Sequence, residues 1–224
     1  YEISECLVGS EMCIRDSLNS VGTGKDEAAA KEWFERASKL GNPHAQYQLA
    51  RMILNNLSST PEQTAQALEW LTKAAEAGQD CAQYMLGKIY RDGQGTEKDI
   101  QKAVELFTVA AEQKNSFAAF ALGKLYLAGD VALPKNSAAA LKWLTSAAEL
   151  GNQSAQYRLG KLLLQGEDVP KDIETAVHWL TAAADQGNQY AQYALGKLYL
   201  LGKEVQKDRA SAIKWFQLAA DQGN

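Results

Sequence analysis

The sequence predicts an all-α fold, a solenoid of stacked pairs of short helices. Three observations predict it. Leu49, Leu86, Leu122, Leu159 and Leu195 recur at intervals of 37, 36, 37 and 36 residues, each followed by a small residue: Ala50, Gly87, Gly123, Gly160 and Gly196. Each leucine is preceded by an aromatic two positions earlier (Tyr47, Tyr84, Phe120, Tyr157, Tyr193) and by an alanine four positions earlier. A second register runs Trp33, Trp70, Leu106, Trp143, Trp179 and Trp215, with small pairs such as Ala74-Ala75 and Ala183-Ala184 one turn further on. A fixed period of this size marks a repeat in which each unit buries its apolar face only by stacking on its neighbours.

The elements follow in chain order. Residues 1–17 share nothing with the periodic chain, and Glu11 to Ser17 resemble the translation of a sequencing adaptor, so 1–17 is set aside as a non-native leader. Residues 18–25 are a linker and 26–224 form the array. Asp26–Leu40 is a lone second helix (helix B) of a first unit, followed by five A/B pairs, giving an expectation of eleven helices, each near ten to fourteen residues. Both ends of the array are expected to be truncated. Helix A of each pair begins near the alanine-glutamine-tyrosine stretch and ends at Gly93, Gly129, Gly166 or Gly202. Helix B begins at Asp99, Asn136, Asp172 or Asp208, whose side chains suit the free N–H groups of a helix start. It ends at Gly41, Gly78, Gly151, Gly187 or Gly223, with Lys114 as the exception and Asn115 expected to close that turn. Small residues at the helix contacts let backbones approach, and the tryptophan is expected to supply the large buried area. Asn55–Pro61 lacks the glycine pattern and reads as an irregular surface loop.

The composition excludes several classes of function. Of 224 residues, 46 % are hydrophobic and 22 % charged, an ordinary globular balance. No run of 18 apolar residues marks a membrane span. The net charge is -4, of which residues 1–17 carry -3, leaving the array close to neutral and without a bulk positive surface for nucleic acid. His44 and His178 are isolated, and Cys81 is the one cysteine within the repeats. These residues suit neither a zinc site nor a nucleophile–base pair, so no catalytic residue, metal or cofactor is expected and the chain is not read as an enzyme. Gly22-Thr23-Gly24-Lys25 lacks the full phosphate-loop pattern. The compartment stays open between the cytoplasm and, if a signal peptide preceded this segment, the periplasm or exterior.

The motif is specific enough for a family resemblance. Residues 153–187 carry Ala155-Gln156-Tyr157, Leu159-Gly160, Gly166, Val169-Pro170-Lys171-Asp172, Ala176, Trp179, Ala183-Ala184 and Gly187, and five copies of this pattern resemble the Sel1-like repeat, a relative of the tetratricopeptide repeat. The resemblance implies a right-handed α/α solenoid that acts as an adaptor in bacterial or eukaryotic complexes. It also raises an alternative, a secreted hydrolase or antibiotic-binding repeat protein, although those relatives carry a cysteine pair in each repeat and this chain does not. A further alternative is a repeat segment of a larger protein whose activity lies elsewhere.

A basic ladder is the main functional signal. Arg51, Lys88, Lys124, Lys161 and Lys197 hold one position in successive A helices, each four residues after Tyr47, Tyr84, Phe120, Tyr157 and Tyr193 and hence on the same helical face. By analogy with tetratricopeptide repeats this side lines the concave groove. Aromatics beside a row of cations suit a protein or peptide segment with acidic side chains or a terminal carboxylate. The same pattern also fits solvated lysines above packing aromatics, or a ligand such as a glycan.

Overall fold

In a computed structural model, residues 27–56 and 60–222 are described. Among them are eleven α-helices: α1 (Glu27–Lys39), α2 (Pro43–Leu54), α3 (Pro61–Glu76), α4 (Asp80–Asp92), α5 (Ile100–Glu112), α6 (Ser116–Ala128), α7 (Ser137–Glu149), α8 (Gln153–Gln165), α9 (Ile173–Asp185), α10 (Gln189–Leu201) and α11 (Arg209–Ala220). Among the described residues the expected helix B near 26–40 and the five A/B pairs after it are present, as an all-α solenoid of paired helices. The α3 helix, at 16 residues, is longer than the expected ten to fourteen. The assignments of a leader to 1–17 and a linker to 18–25, and the turn at Gly223, lie outside the described residues, as do 57–59. The chain divides into two compact units, residues 1–110 and 111–224.

Local chemistry sets the helix ends. The side chains of Asn136 and Asp172 accept from the N–H three residues on, each at 3.0 Å, and Asp99 does the same with Lys102 N–H. Helix A has a cap of its own that the sequence reading passed over. Asn42, Asn115, Asn152 and Asn188 each accept from the alanine three positions later, at 2.9–3.0 Å. At α3 the supposed irregular loop ends in a capping box, in which the Thr60 hydroxyl accepts from Gln63 N–H and the Gln63 side chain accepts from Thr60 N–H. Lys114 itself, at φ 67°, takes the left-handed position that glycine holds at the other turns from helix B to helix A, while Asn115 caps the next helix. The expectation that Asn115 would close that turn is corrected accordingly: it starts a helix instead. The longer loop after α6 folds on itself through an isolated bridge, with Asp130 N–H donating to Leu133 O at 2.7 Å and Leu133 N–H to Asp130 O at 3.0 Å.

The packing corrects the expected role of the tryptophans. Trp33, Trp70, Trp143 and Trp179 are only half-buried, and Trp215 alone is buried. In the B helices the fully buried large residues are the ones that follow, Phe34, Leu71, Leu144 and Leu180, with Phe107 after Leu106. Phe107, Leu144 and Leu180 sit over the glycine of the preceding helix A. A Cβ placed on Gly123 would lie 2.7 Å from the Leu144 side chain, and one on Gly160 would lie 2.8 Å from Leu180 Cγ. A methyl group there would collide, so helix A and the following helix B approach only because the glycine has no side chain. The tryptophan, one residue away, turns toward the preceding pair: Trp70 packs on the cluster of Phe34, Ala37, Ala45 and Leu49.

Buried glutamines tie the turns. Gln83, Gln156 and Gln192 each donate a side-chain bond to a backbone carbonyl near the end of the preceding helix B, to Ala75, Ala148 and Ala184, at 3.0–3.1 Å. Gln186 and Gln222 in turn donate to the side-chain oxygens of Gln156 and Gln192, at 2.7 and 2.8 Å. A buried amide left without partners costs more than the bond contributes, so these chains fix the register of successive pairs.

Candidate functional site

The A helices α2, α4, α6, α8 and α10 present Arg51, Lys88, Lys124, Lys161 and Lys197, and all five are exposed. The leucine two residues earlier is buried, which pins the helix so that the base points outward. Tyr47, Tyr84, Phe120 and Tyr157 are half-buried, and Tyr193 is exposed. In the first unit, the Arg51 guanidinium lies 5.9 Å from the Tyr47 ring centre and Lys88 Nζ lies 5.9 Å from that of Tyr84. In the second unit, Lys124 Nζ lies 5.7 Å from the Phe120 ring centre. These are cation–π distances, and they keep each cationic head against its aromatic. Burial raises the pKa of the Tyr47 and Tyr84 phenols, in Tyr47 against an opposing pull from Arg51. Both stay neutral at physiological pH and do not cancel the neighbouring cations.

The two remaining pairs share a groove. Tyr157, Lys161, Tyr193 and Lys197 line a hollow of about 460 Å³ whose floor includes Leu164, Leu198 and Leu201. Tyr190 adds a wall, with its ring centre 6.0 Å from that of Tyr157, and it is 57 % exposed. Glu204 is at the edge, but Lys171 Nζ holds it at 2.7 Å, so its charge is largely offset. The groove is apolar at its base and cationic at its sides. The sequence singled out four of its residues; it passed over Tyr190 and the leucine floor. The available signal was an aromatic at the position held by Cys81 and Ser154 in other repeats, with Leu201 left exposed at the end of α10.

The other titratable residues are dispersed. His44 is exposed and hydrogen-bonded to Gln48 at 3.2 Å, and the exposed His178 lies edge-on to Trp179 at 4.9 Å. Cys81 is a free, half-buried thiol, and burial pushes its pKa up, away from the thiolate form that would make it a nucleophile. Among the described residues no group of His, Cys, Asp or Glu could hold a metal ion, and no helix is long and apolar enough to cross a membrane.

The model of the Sel1 repeat matches residues 5–42, 43–79, 82–115, 116–152, 153–188 and 189–224. The chain belongs to the Sel1 repeat family. Its first matched repeat reaches back to residue 5, into the segment that the sequence reading sets aside. The Sel1 chain is similar to a solved Sel1 repeat protein from Oxalobacter formigenes, with 31 % identity and a TM-score of 0.83 over 97 % of this chain and 62 % of that one. It is also similar, at 27 % identity and TM-score 0.59, to a protective antigen of uropathogenic Escherichia coli strains, covering 97 % of this chain and 54 % of that one. A third similarity, at 26 % identity and TM-score 0.51, is to an immunity protein from Pseudomonas aeruginosa, covering 81 % of this chain and 65 % of that one. The chain thus spans less than two thirds of each of these three. No curated protein matches it by sequence. Sel1 and tetratricopeptide-like folds often mediate protein–protein interactions.

Proposed function

We propose that this Sel1 chain is a non-enzymatic scaffold that binds protein or peptide segments bearing acidic groups on the A-helix faces that carry, in the first unit, Arg51 and Lys88 and, in the second, Lys124, Lys161 and Lys197. The observation that carries the reading is the groove of the second unit, where Lys161 and Lys197 flank a floor of Leu164, Leu198 and Leu201 beside Tyr157, Tyr190 and Tyr193. A hydrophobic anchor fits the floor, and carboxylates fit the flanking ammonium groups. The exposed aromatics are the residue type that contributes most at protein interfaces, and the cations give direction and salt dependence to the encounter. The same lysine–aromatic spacing recurs at Lys124 and, in the first unit, at Arg51 and Lys88.

The test is fluorescence anisotropy with labelled peptides that pair an aliphatic or aromatic anchor with two or three glutamates, against the same peptides with glutamines. Acidic peptides are expected to bind more tightly, and binding should weaken as salt rises. Lys161→Glu with Lys197→Glu should weaken binding by roughly tenfold or more with helicity unchanged. Equal binding of acidic and neutral peptides, or equal binding by the double variant, would remove the ladder from the reading.

A further inference from the structure

The first unit holds a second hollow, of about 390 Å³, bounded by α3, α4 and α5. It is separate from the ladder: α4 contributes Gln83, Leu86 and Tyr90 to it, not Tyr84 or Lys88. Its origin lies in the repeat register. At the position where five other units have tryptophan, α5 has Leu106.

The neighbouring repeats show what such a position holds when it is filled. Trp70 packs on Phe34, Ala37, Ala45 and Leu49. Trp215 packs with Leu180, Ala183, Ala184, Ala191 and Leu195. Leu106 faces the equivalent set, Leu71, Ala74, Ala75, Ala82 and Leu86. The receiving surface is therefore the same, leucine or phenylalanine with alanines, but an isobutyl group stands where the others place an indole. Apolar surface is left open beside it: Val109 is 46 % exposed, and the hollow is lined by Ala75, Leu86, Tyr90, Leu106 and Val109. The Tyr90 ring is held from one side by Lys102, whose Nζ lies 4.3 Å from the ring centre.

We infer that the Leu106 hollow accepts a tryptophan side chain from a partner protein, which takes the place of the indole that this repeat lacks. The occupant is defined by the fold itself, because equivalent surfaces in this chain already receive an indole from Trp70 and Trp215. Of that receiving set Ala75 and Leu86 line the hollow, and with Leu106 and Val109 they give an apolar contact for a planar ring, whose buried area is what a small pocket can use most effectively. Glu76 and Glu105 at the rim are exposed and available to the indole N–H or to the partner backbone.

The test uses the full chain, isotope-labelled, with two capped tripeptides as probes: acetyl-Gly-Trp-Gly-amide and acetyl-Gly-Leu-Gly-amide. The tryptophan peptide is expected to give saturable amide shifts at Leu86, Tyr90, Leu106 and Val109, in the low-millimolar range of a single anchor. The leucine peptide should bind roughly fivefold more weakly, in line with its smaller apolar area. Leu106→Trp installs the residue the other repeats carry, and should abolish the shifts while keeping the helicity. Val109→Lys is a second blocking variant on the exposed rim, where α3 has Lys73 in the same register, and it decides the matter if Leu106→Trp does not fold. Absence of saturable shifts, equal binding of the leucine peptide, or undiminished binding to a folded blocking variant would each overturn the assignment.

Discussion

The turn from α5 to α6 and the turn from α9 to α10 make the same connection with different residues. At the second, Gly187 holds the left-handed position at φ 87°, and the buried Gln192 donates to Ala184 O at 3.1 Å while accepting from Gln222 at 2.8 Å. At the first, Lys114 takes the left-handed position at φ 67°, and Ala119 stands where the glutamine would be. Both keep an asparagine cap, Asn115 or Asn188, that accepts from the alanine three residues on. Both also lead into a helix A whose glycine lies beneath a large side chain of the next helix B, Leu144 over Gly123 and Phe216 over Gly196. The repeat therefore tolerates loss of the turn glycine and of the glutamine tie. What it keeps is the cap and the large-on-small contact, so these define the unit, and the rest adds stability to it.

That division orders the expected effects of mutation. Removing the shared contact should cost most. Leu144→Ala and Leu180→Ala, at fully buried positions, should each destabilise the array by about 3–4 kcal/mol in chemical denaturation. The neighbouring Trp179→Ala, at a half-buried position, should cost less, about 1–3 kcal/mol. A larger loss at Trp179 than at Leu180 would restore the tryptophan as the main buried residue.

The glutamine ties should rank next. Gln156→Ala removes the side-chain bond to the Ala148 carbonyl, which keeps Gly151 N–H at 3.0 Å, and the bond from the exposed Gln186 amide, and should cost about 1–2 kcal/mol. A change near zero would mean that the turn N–H alone satisfies the carbonyl, as Lys114 N–H does for Ala111 O at 2.9 Å where Ala119 replaces the glutamine. Lys114→Gly should stabilise by about 1 kcal/mol, because a side chain disfavours the left-handed region that glycine enters freely. No gain there would show that the lysine side chain makes a compensating contact.

The smallest effect concerns pH. Hydrogen bonds at the starts of α9 and α11, from Thr175 to Asp172 and from Ser211 to Asp208, lower the pKa of both carboxyls below the ordinary 3.8. A depressed folded-state pKa contributes stability that is present above 3.8 and is lost as pH falls through the lowered value. Thermal stability measured from pH 5 down to about pH 2 should decline less steeply in Asp172→Asn with Asp208→Asn than in the parent chain. Parallel profiles would mean that the two caps do not contribute to the acid limb.

The sequence made the helix count, the cap positions of helix B and the terminal glycines readable, because each depends on a few residues at fixed spacing. Leu49 to Leu195 set the period, and Asp99, Asn136, Asp172 and Asp208 mark the starts. The direction of the tryptophans was not readable in the same way. Trp179 and Leu180 are adjacent, so both lie near the buried stripe, and only the glycine beneath Leu180 decides which one faces the partner helix. Size suggested tryptophan; the space above Gly160 admits leucine. The site shows the same limit. The ladder positions follow from the i, i+4 spacing of Tyr157 and Lys161, but the groove wall at Tyr190 arises from ring packing across successive A helices, which periodicity alone does not encode.

The contact between Gly87 and Phe107 offers the sharpest test of what holds each pair together, because the three atoms nearest to a Cβ at Gly87 all belong to the Phe107 ring, the nearest at 2.7 Å. The measurement is a double-mutant cycle of Gly87→Ala and Phe107→Ala by chemical denaturation. In the parent chain, Gly87→Ala should destabilise by about 1–3 kcal/mol through overpacking. In the Phe107→Ala background the same substitution should be neutral or stabilising by up to about 1 kcal/mol, because alanine favours a helix over glycine. The coupling should therefore exceed about 1 kcal/mol. If the two changes add within about 0.5 kcal/mol, the ring and the glycine do not act as one unit, and the large-on-small contact is not what defines the repeat.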